Sequence, residues 1–330
     1  MSSMNFKSSR VKKGMTGGSG LLNLKSAEEI RLNIIIQQQE DIKRMYENFA
    51  KQAKKAAENL KGKTNVSSVL RQWYLNNLAN QLNEASQSLG KELEQKIRGA
   101  IQDTAEGVVE AQRDFLSKIG MPDVSSAFSH VPRDIVEAVV SGNVYGGNWT
   151  LSGSIWGISN KTSSDINRII AEGIAQNKSV YDIAKDLEVY VSPSAKKPWD
   201  WGKVYPGTNK VIDYNAQRLA RTLVSHAYQQ SLVNTCAKNP FVTGFKWRSA
   251  HTARTCELCN ERDGTIYPKN DLPLDHPNGI CTFEAVIPDS YDNIVDRLAS
   301  WVNGKEDPAL DAYAQDFMTR QNYLSFMQNR

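Results

Sequence analysis

The sequence predicts a mainly α protein that carries a small α+β module toward its C-terminal end. Three observations lead there. Residues 26–122 repeat apolar side chains at intervals of three and four, the period of a helix with one buried face. Shorter helical stretches with clear start and stop signals occupy residues 123–240 and 289–330. Residues 241–288 instead follow the two-residue period of strands, broken by turn dipeptides and holding three of the four cysteines. The expected organisation is a flexible basic arm (1–25), a long helical hairpin (26–122) and a helical middle domain (123–240). A Cys/His-pinned β-rich module (241–288) and C-terminal helices (289–330) complete it.

At 330 residues and 40% apolar content the chain can bury a sizeable core, divided into two or more units. No apolar run approaches the roughly 20 residues of a membrane helix. The first residues also lack the continuous apolar centre of a signal peptide. A soluble protein kept in a reducing cytoplasm, with no membrane partner, is the expectation. Charge is unevenly spread. Residues 1–63 hold 13 Lys or Arg against 6 Asp or Glu, and no acid precedes Glu28. A Ser, Gly and Lys-rich arm of this kind cannot repay its ordering entropy. It suits nucleic acid, whose phosphates release counterions to any basic chain, or it is a solvated tail with no partner.

Ser26-Ala27-Glu28-Glu29 reads as a capping box opening a helix whose stripe is Ile35, Ile42, Tyr46, Phe49, Ala53, Ala56 and Leu60. A break over 62–65 follows. A longer helix then carries Leu78, Leu82, Ala85, Leu89, Leu93, Ile97, Ile101, Ala105 and Val108 on one side, up to Gly120-Met121-Pro122. Two such helices leave an open seam, to be covered by other parts of the chain or by another subunit. Pro132 starts a short helix ending before Gly142, and the Gly-rich residues 143–157 read as a connector. Helices are expected over 164–176, from Ser179 to about Tyr190, and from an Asp213 cap to Asn239-Pro240. Between the last two, residues 192–208 hold Trp199, Trp201 and Lys196-Lys197 in an exposed loop or docking tip. Tyr291 to Val302 and Pro308 to Met327 read as terminal helices in an acidic tail.

The chemistry concentrates in the module. Cys256 and Cys259 form a C-x2-C pair; after sixteen intervening residues His276 and Cys281 form H-x4-C. A C-x2-C on a turn presents two thiolates to one ion, and a distant second pair completes a tetrahedron, so these four are the candidate metal ligands. With every position filled by protein, such an ion would be structural zinc, pinning strands too few to hide much apolar surface. The alternatives are thiols buried for packing and a Cys256–Cys259 disulfide. His251 is the substitute ligand should His276 fail. Cys236 reads as a buried thiol and a spare ligand at most, and His226 as a structural or surface residue with no nucleophile in reach.

Ala220-Arg221-Thr222, the aromatic strand with Trp247, the C-x2-C, Asp263-Gly264 and His276-Pro277-Asn278-Gly279-Ile280-Cys281 together resemble the tailed-phage minor head protein family. This is the head morphogenesis group related to the F protein of phage Mu. The likeness is closest over residues 212–288. Members typically end this module in His-Pro-x-Cys-Arg-Cys, so Gly279 stands where the first cysteine would be and Ile280 where the arginine would be. The set of four is intact if the last cysteine is the ligand. The resemblance implies a structural, non-enzymatic minor capsid protein associated with the portal, acting in head assembly and in genome packaging or ejection. Its implied partners are the portal protein, a scaffold or major capsid protein, and packaged DNA through the basic arm. Its implied place is the capsid interior near the portal, and the host cytoplasm during assembly.

Two other functional classes share parts of this pattern. An HNH-type nuclease fits a C-x2-C with Asp275-His276, but no histidine follows His276 to complete its metal-binding half. A nucleic-acid-binding zinc module would carry basic residues between the ligand pairs. Here that stretch is acidic and Pro-rich, with Glu261, Asp263, Asp271 and Asp275.

Overall fold

A computed structural model describes residues 25–63, 66–118, 128, 130–194, 212–237, 239–252 and 255–317. The basic arm before residue 25 lies outside these. So do the stop signal at Gly120-Met121-Pro122, the Trp199/Trp201 loop with Lys196-Lys197, and residues 318–330, which include the end of the helix expected to reach Met327.

Helix α1 (Lys25–Glu58) and helix α2 (Ser68–Lys118) form the expected hairpin. At 1.5 Å per residue they span about 51 and about 76 Å. The stripe of α1 is buried at Ile35, Ile42, Tyr46, Phe49, Ala53 and Leu60, but Ala57, not Ala56, closes its last buried turn. On α2 Leu78, Leu82, Leu89, Leu93, Ile97, Ile101, Ala105 and Val108 are buried as the period requires. The open seam is covered by this chain itself. Helices α3 (Val131–Ser141), α4 (Leu151–Ala175), α5 (Val180–Val191) and α6 (Tyr214–Cys236) pack along the hairpin. Ile166, Ile169, Leu187 and Leu223 enter the same core as Ile42, Tyr46 and Leu93. The hairpin and the middle region thus share one apolar interior.

α3 begins with Pro132 in its first turn and ends on Gly142, whose φ of 83° is the left-handed cap that glycine adopts without a Cβ clash. Helix α4 corrects the sequence reading. Residues 151–157, expected to be part of a Gly-rich connector, and 158–163, ahead of the expected helix start, are its first half. Thr150 is extended and its hydroxyl accepts the Gly153 N–H, which caps the helix. Leu151, Ile155, Thr162, Ile166 and Ile169 then keep one face buried. Gly153 and Gly157 fall on the exposed face, where each costs the helix only about 1 kcal/mol. Ser179 caps α5 through the Asp182 N–H as expected. Asp213 sits at the start of α6 but makes no cap bond; its carboxylate takes the Gln217 side-chain amide instead.

Beyond α6 comes a three-stranded antiparallel sheet of β1 (Gly244–Arg248), β2 (Ile266–Pro268) and β3 (Thr282–Val286), in the order β2-β1-β3. Phe245 pairs with Tyr267 and Ala285, and Trp247 with Phe283. This sheet does not form a core of its own. Phe245, Trp247 and Phe283 bury against Tyr228 and Leu232 of α6, Val108 of α2 and Ala27 of α1. Helices α8 (Tyr291–Val302) and α9 (Pro308–Phe317) return to the main core through Ile294, Leu298, Trp301, Leu310 and Tyr313. Among the described residues no helix is long and apolar enough to cross a membrane.

Candidate metal centre

Cys256 and Cys259 are carried on the short helix α7 (Glu257–Arg262), between β1 and β2, and not on the open turn the spacing suggested. Cys256 is its N-cap residue in extended conformation and Cys259 stands in the first turn, so both thiols face the same side. Cys281 is the last residue before β3. His276 comes from the loop leading to it, where Asn278 at φ 68° and the Gly279 N–H to His276 carbonyl bond close a turn.

All four sequence-predicted ligands meet, arranged about Cys259. Donor atoms of Cys256, Cys259 and His276 lie within 4.8 Å of one another, and so do those of Cys259, Cys281 and Asp275. The sulfurs of Cys259 and Cys281 are 3.4 Å apart. Tetrahedral Zn–S bonds of about 2.3 Å set ligand sulfurs about 3.8 Å apart, so a few tenths of an ångström of expansion admits an ion. The cluster could hold a metal ion. Cys259 and Cys281 are buried, whereas Cys256 and His276 sit half-buried at its mouth.

Its electrostatics are those of thiols packed together. The Cys256 thiol is pulled below its ordinary range by the Cys259 backbone N–H, with the His276 ring adding to the effect. Burial pushes the Cys259 thiol up, and Cys281 and Cys256 beside it push the same way. Cys281 rises by burial and by the charge of Asp275. His276 rises mainly because its Nδ1 faces the Pro277 carbonyl at 3.0 Å. That bond places the proton on Nδ1 and leaves the Nε2 lone pair for an ion, the arrangement metal-binding histidines commonly use.

The loop that carries His276 is braced by one face of α6. Arg221 donates to the Asn278 side chain (3.0 Å) and Thr222 accepts the Asn278 N–H (2.8 Å). Ser225 donates to the Gly279 carbonyl (2.9 Å). Gln229 donates to the Pro273 carbonyl (2.6 Å) and accepts the Asp275 N–H (3.0 Å). His226 is buried and structural. Its Nε2 donates to the Asp275 carbonyl (2.9 Å), so Nδ1 must accept the Tyr145 hydroxyl (2.8 Å), and burial lowers its pKa. From the opposite side, α1 sends in Arg31, which is wholly buried. Its guanidinium donates to the carbonyls of Cys281 (3.0 Å) and Ile280 (3.3 Å) and lies 4.7 Å over the Tyr228 ring.

The two spare ligands stand apart from the cluster. Cys236, the last residue of α6, is buried, accepts from the Gln112 amide at 3.2 Å, and has its thiol pushed up to about 12 by burial. His251 is exposed and pairs with Asp263 at 3.4 Å. The sequence offers Asp275 only as part of the nuclease alternative and as a loop acid, and it singles out none of Ser225, Gln229 and Arg31. A signal existed for the α6 residues, since Thr222, Ser225, His226 and Gln229 form a polar row at helical spacing beside the apolar Leu223, Val224, Ala227 and Leu232. No family model, curated protein or solved structure matches the chain.

Proposed function

We propose that this chain is a structural minor head protein of a tailed phage, bound at the portal, with a role in head assembly and in genome packaging or ejection. The cluster around Cys259 binds zinc, the ion suited to a thiolate and imidazole donor set. The zinc holds a shape and turns over no substrate, because protein donors fill its coordination sphere. The single observation that carries this reading is where the resemblance falls in space. Arg221, Thr222, Trp247, Cys256, Cys259, His276 and Cys281 all belong to one module braced by α6 and α1. A braced, deeply packed module serves as a rigid docking piece. The basic arm supplies contact with DNA, and the portal protein is the partner, with scaffold or major capsid protein as further contacts.

Two measurements test it. Co-expression with the portal protein of the same phage should yield a complex on affinity purification, and purified virions should contain the chain. Failure of both ends the structural reading. Purified protein should hold about one zinc per chain, lost in Cys256→Ser. A metal-free wild type whose melting is untouched by chelator would reduce the cluster to packing.

A further inference from the structure

Asp275 lay outside the sequence-predicted ligands, yet the ligand loop closes around its carboxylate. We propose that Asp275 is itself a ligand of the ion, an inner-sphere oxygen donor beside the thiolates of Cys259 and Cys281. Cys256 and His276 complete the set from the other side of Cys259. This inference rests on the metal reading above and adds a donor to it.

Three observations carry it. Asp275 is 3% exposed, and its carboxylate lies within 4.8 Å of the sulfurs of both Cys259 and Cys281. Two thiols and a carboxylate thus converge in one buried place, a donor set that a divalent cation accepts. Next, the carboxylate is only partly satisfied. Oδ1 accepts the His276 N–H (2.9 Å) and Oδ2 the Cys281 N–H (3.2 Å), two of its roughly four acceptor sites. The neighbouring cation, Arg31, bonds backbone carbonyls rather than this carboxylate. Finally, the space is reserved. A Cβ on Gly279 would lie 2.2 Å from Oδ2 and 2.4 Å from Oδ1 and Cγ of Asp275, and it would meet nothing else so closely. A carboxylate at 275 and a side chain at 279 therefore exclude each other. The bland reading, that Asp275 only caps the loop through its two N–H bonds, explains the hydrogen bonds but not the placement beside two thiols.

Cobalt(II) serves as the probe in the full chain, with zinc for stoichiometry. Wild type, Asp275→Asn and the double variant Asp275→Ala/Gly279→Cys are compared. An inner-sphere carboxylate predicts that Asp275→Asn shifts and intensifies the cobalt d–d bands as the site drops to four donors, with thiolate-to-cobalt charge transfer unchanged. Zinc affinity should fall about tenfold or more. In the double variant a fourth thiolate takes the vacated space, so charge-transfer intensity rises by about one third and zinc affinity recovers. Unchanged d–d bands in Asp275→Asn overturn the inference even if affinity falls, because an outer-shell hydrogen-bonding residue also costs about 10–100-fold. If Asp275→Asn fails to fold, Asp275→Glu replaces it and must likewise move the bands. A wild type that takes up neither metal sinks the metal reading itself, a result distinct from uptake with unmoved bands.

Discussion

Replacing Arg31 with Met is the perturbation that best exposes how the module is held. Met keeps much of the volume of the wholly buried side chain but carries no donor. The carbonyls of Cys281 and Ile280 would lose their partners, at about 1–3 kcal/mol for each buried acceptor. The cation over Tyr228 contributes about 0.5–2 kcal/mol more. Against this stands the guanidinium's own burial, which already lowers its pKa and whose relief returns several kcal/mol. Which side wins depends on the ion. With metal bound, the cysteines are thiolates and their negative charge offsets the desolvation of Arg31. With metal removed, they revert to neutral thiols and that compensation shrinks. We expect Arg31→Met to cost about 2–4 kcal/mol in the metal-loaded protein, which is about 3–6 °C in Tm for a chain of this length. After chelation the cost should be clearly smaller. Four melts, of wild type and variant with and without chelator, form a double-mutant cycle. A loss under about 0.5 kcal/mol, or an equal loss in both conditions, would refute the coupling.

Other expectations are narrower. His226 is held neutral because burial lowers its pKa below the ordinary 6.5, so the stability this contributes is full above pH 6.5 and is lost as pH falls through the lower folded value. Urea midpoints between pH 7.5 and pH 5 should fall more steeply for wild type than for His226→Gln; parallel curves would count against it. Thr150→Ala removes the cap of α4 and should cost about 1 kcal/mol, with faster amide exchange confined to its first turns. Exchange unchanged there would return residues 151–157 to the connector they were expected to be. Cys236→Ala should lower stability by about 1–2 kcal/mol through its lost packing and Gln112 bond, and His251→Ala hardly at all. Both should retain wild-type metal content, and loss of metal in either would make that residue a ligand.

Where local order carried the information, the sequence was readable. The stripes of α1 and α2 repeat at the helix period, and Ser179 and Gly142 bound their helices with residues whose capping chemistry is local. The Gly-rich entry to α4 misled because Gly153 and Gly157 lower helix propensity without touching the buried face that decides the matter. Cys256, Cys259, His276 and Cys281 could be singled out because ligand spacing is written in the chain. Asp275 could not, since an aspartate before His-Pro reads as one more loop acid until the Gly279 backbone and two thiols are placed around it.

By itself, then, the sequence determined the long helices, a β-rich module and the four candidate ligands, but not the first half of α4 or the short α7, because periodicity and ligand spacing are local signals. The tertiary structure decided what supports them. Arg31 reaches the Cys281 carbonyl from 250 positions away, and α6 braces the ligand loop from 44 to 57 positions away. The sheet finds its apolar cover on α1, α2 and α6 and not within its own strands. Such contacts follow from how whole helices cross, and no short window of residues encodes that.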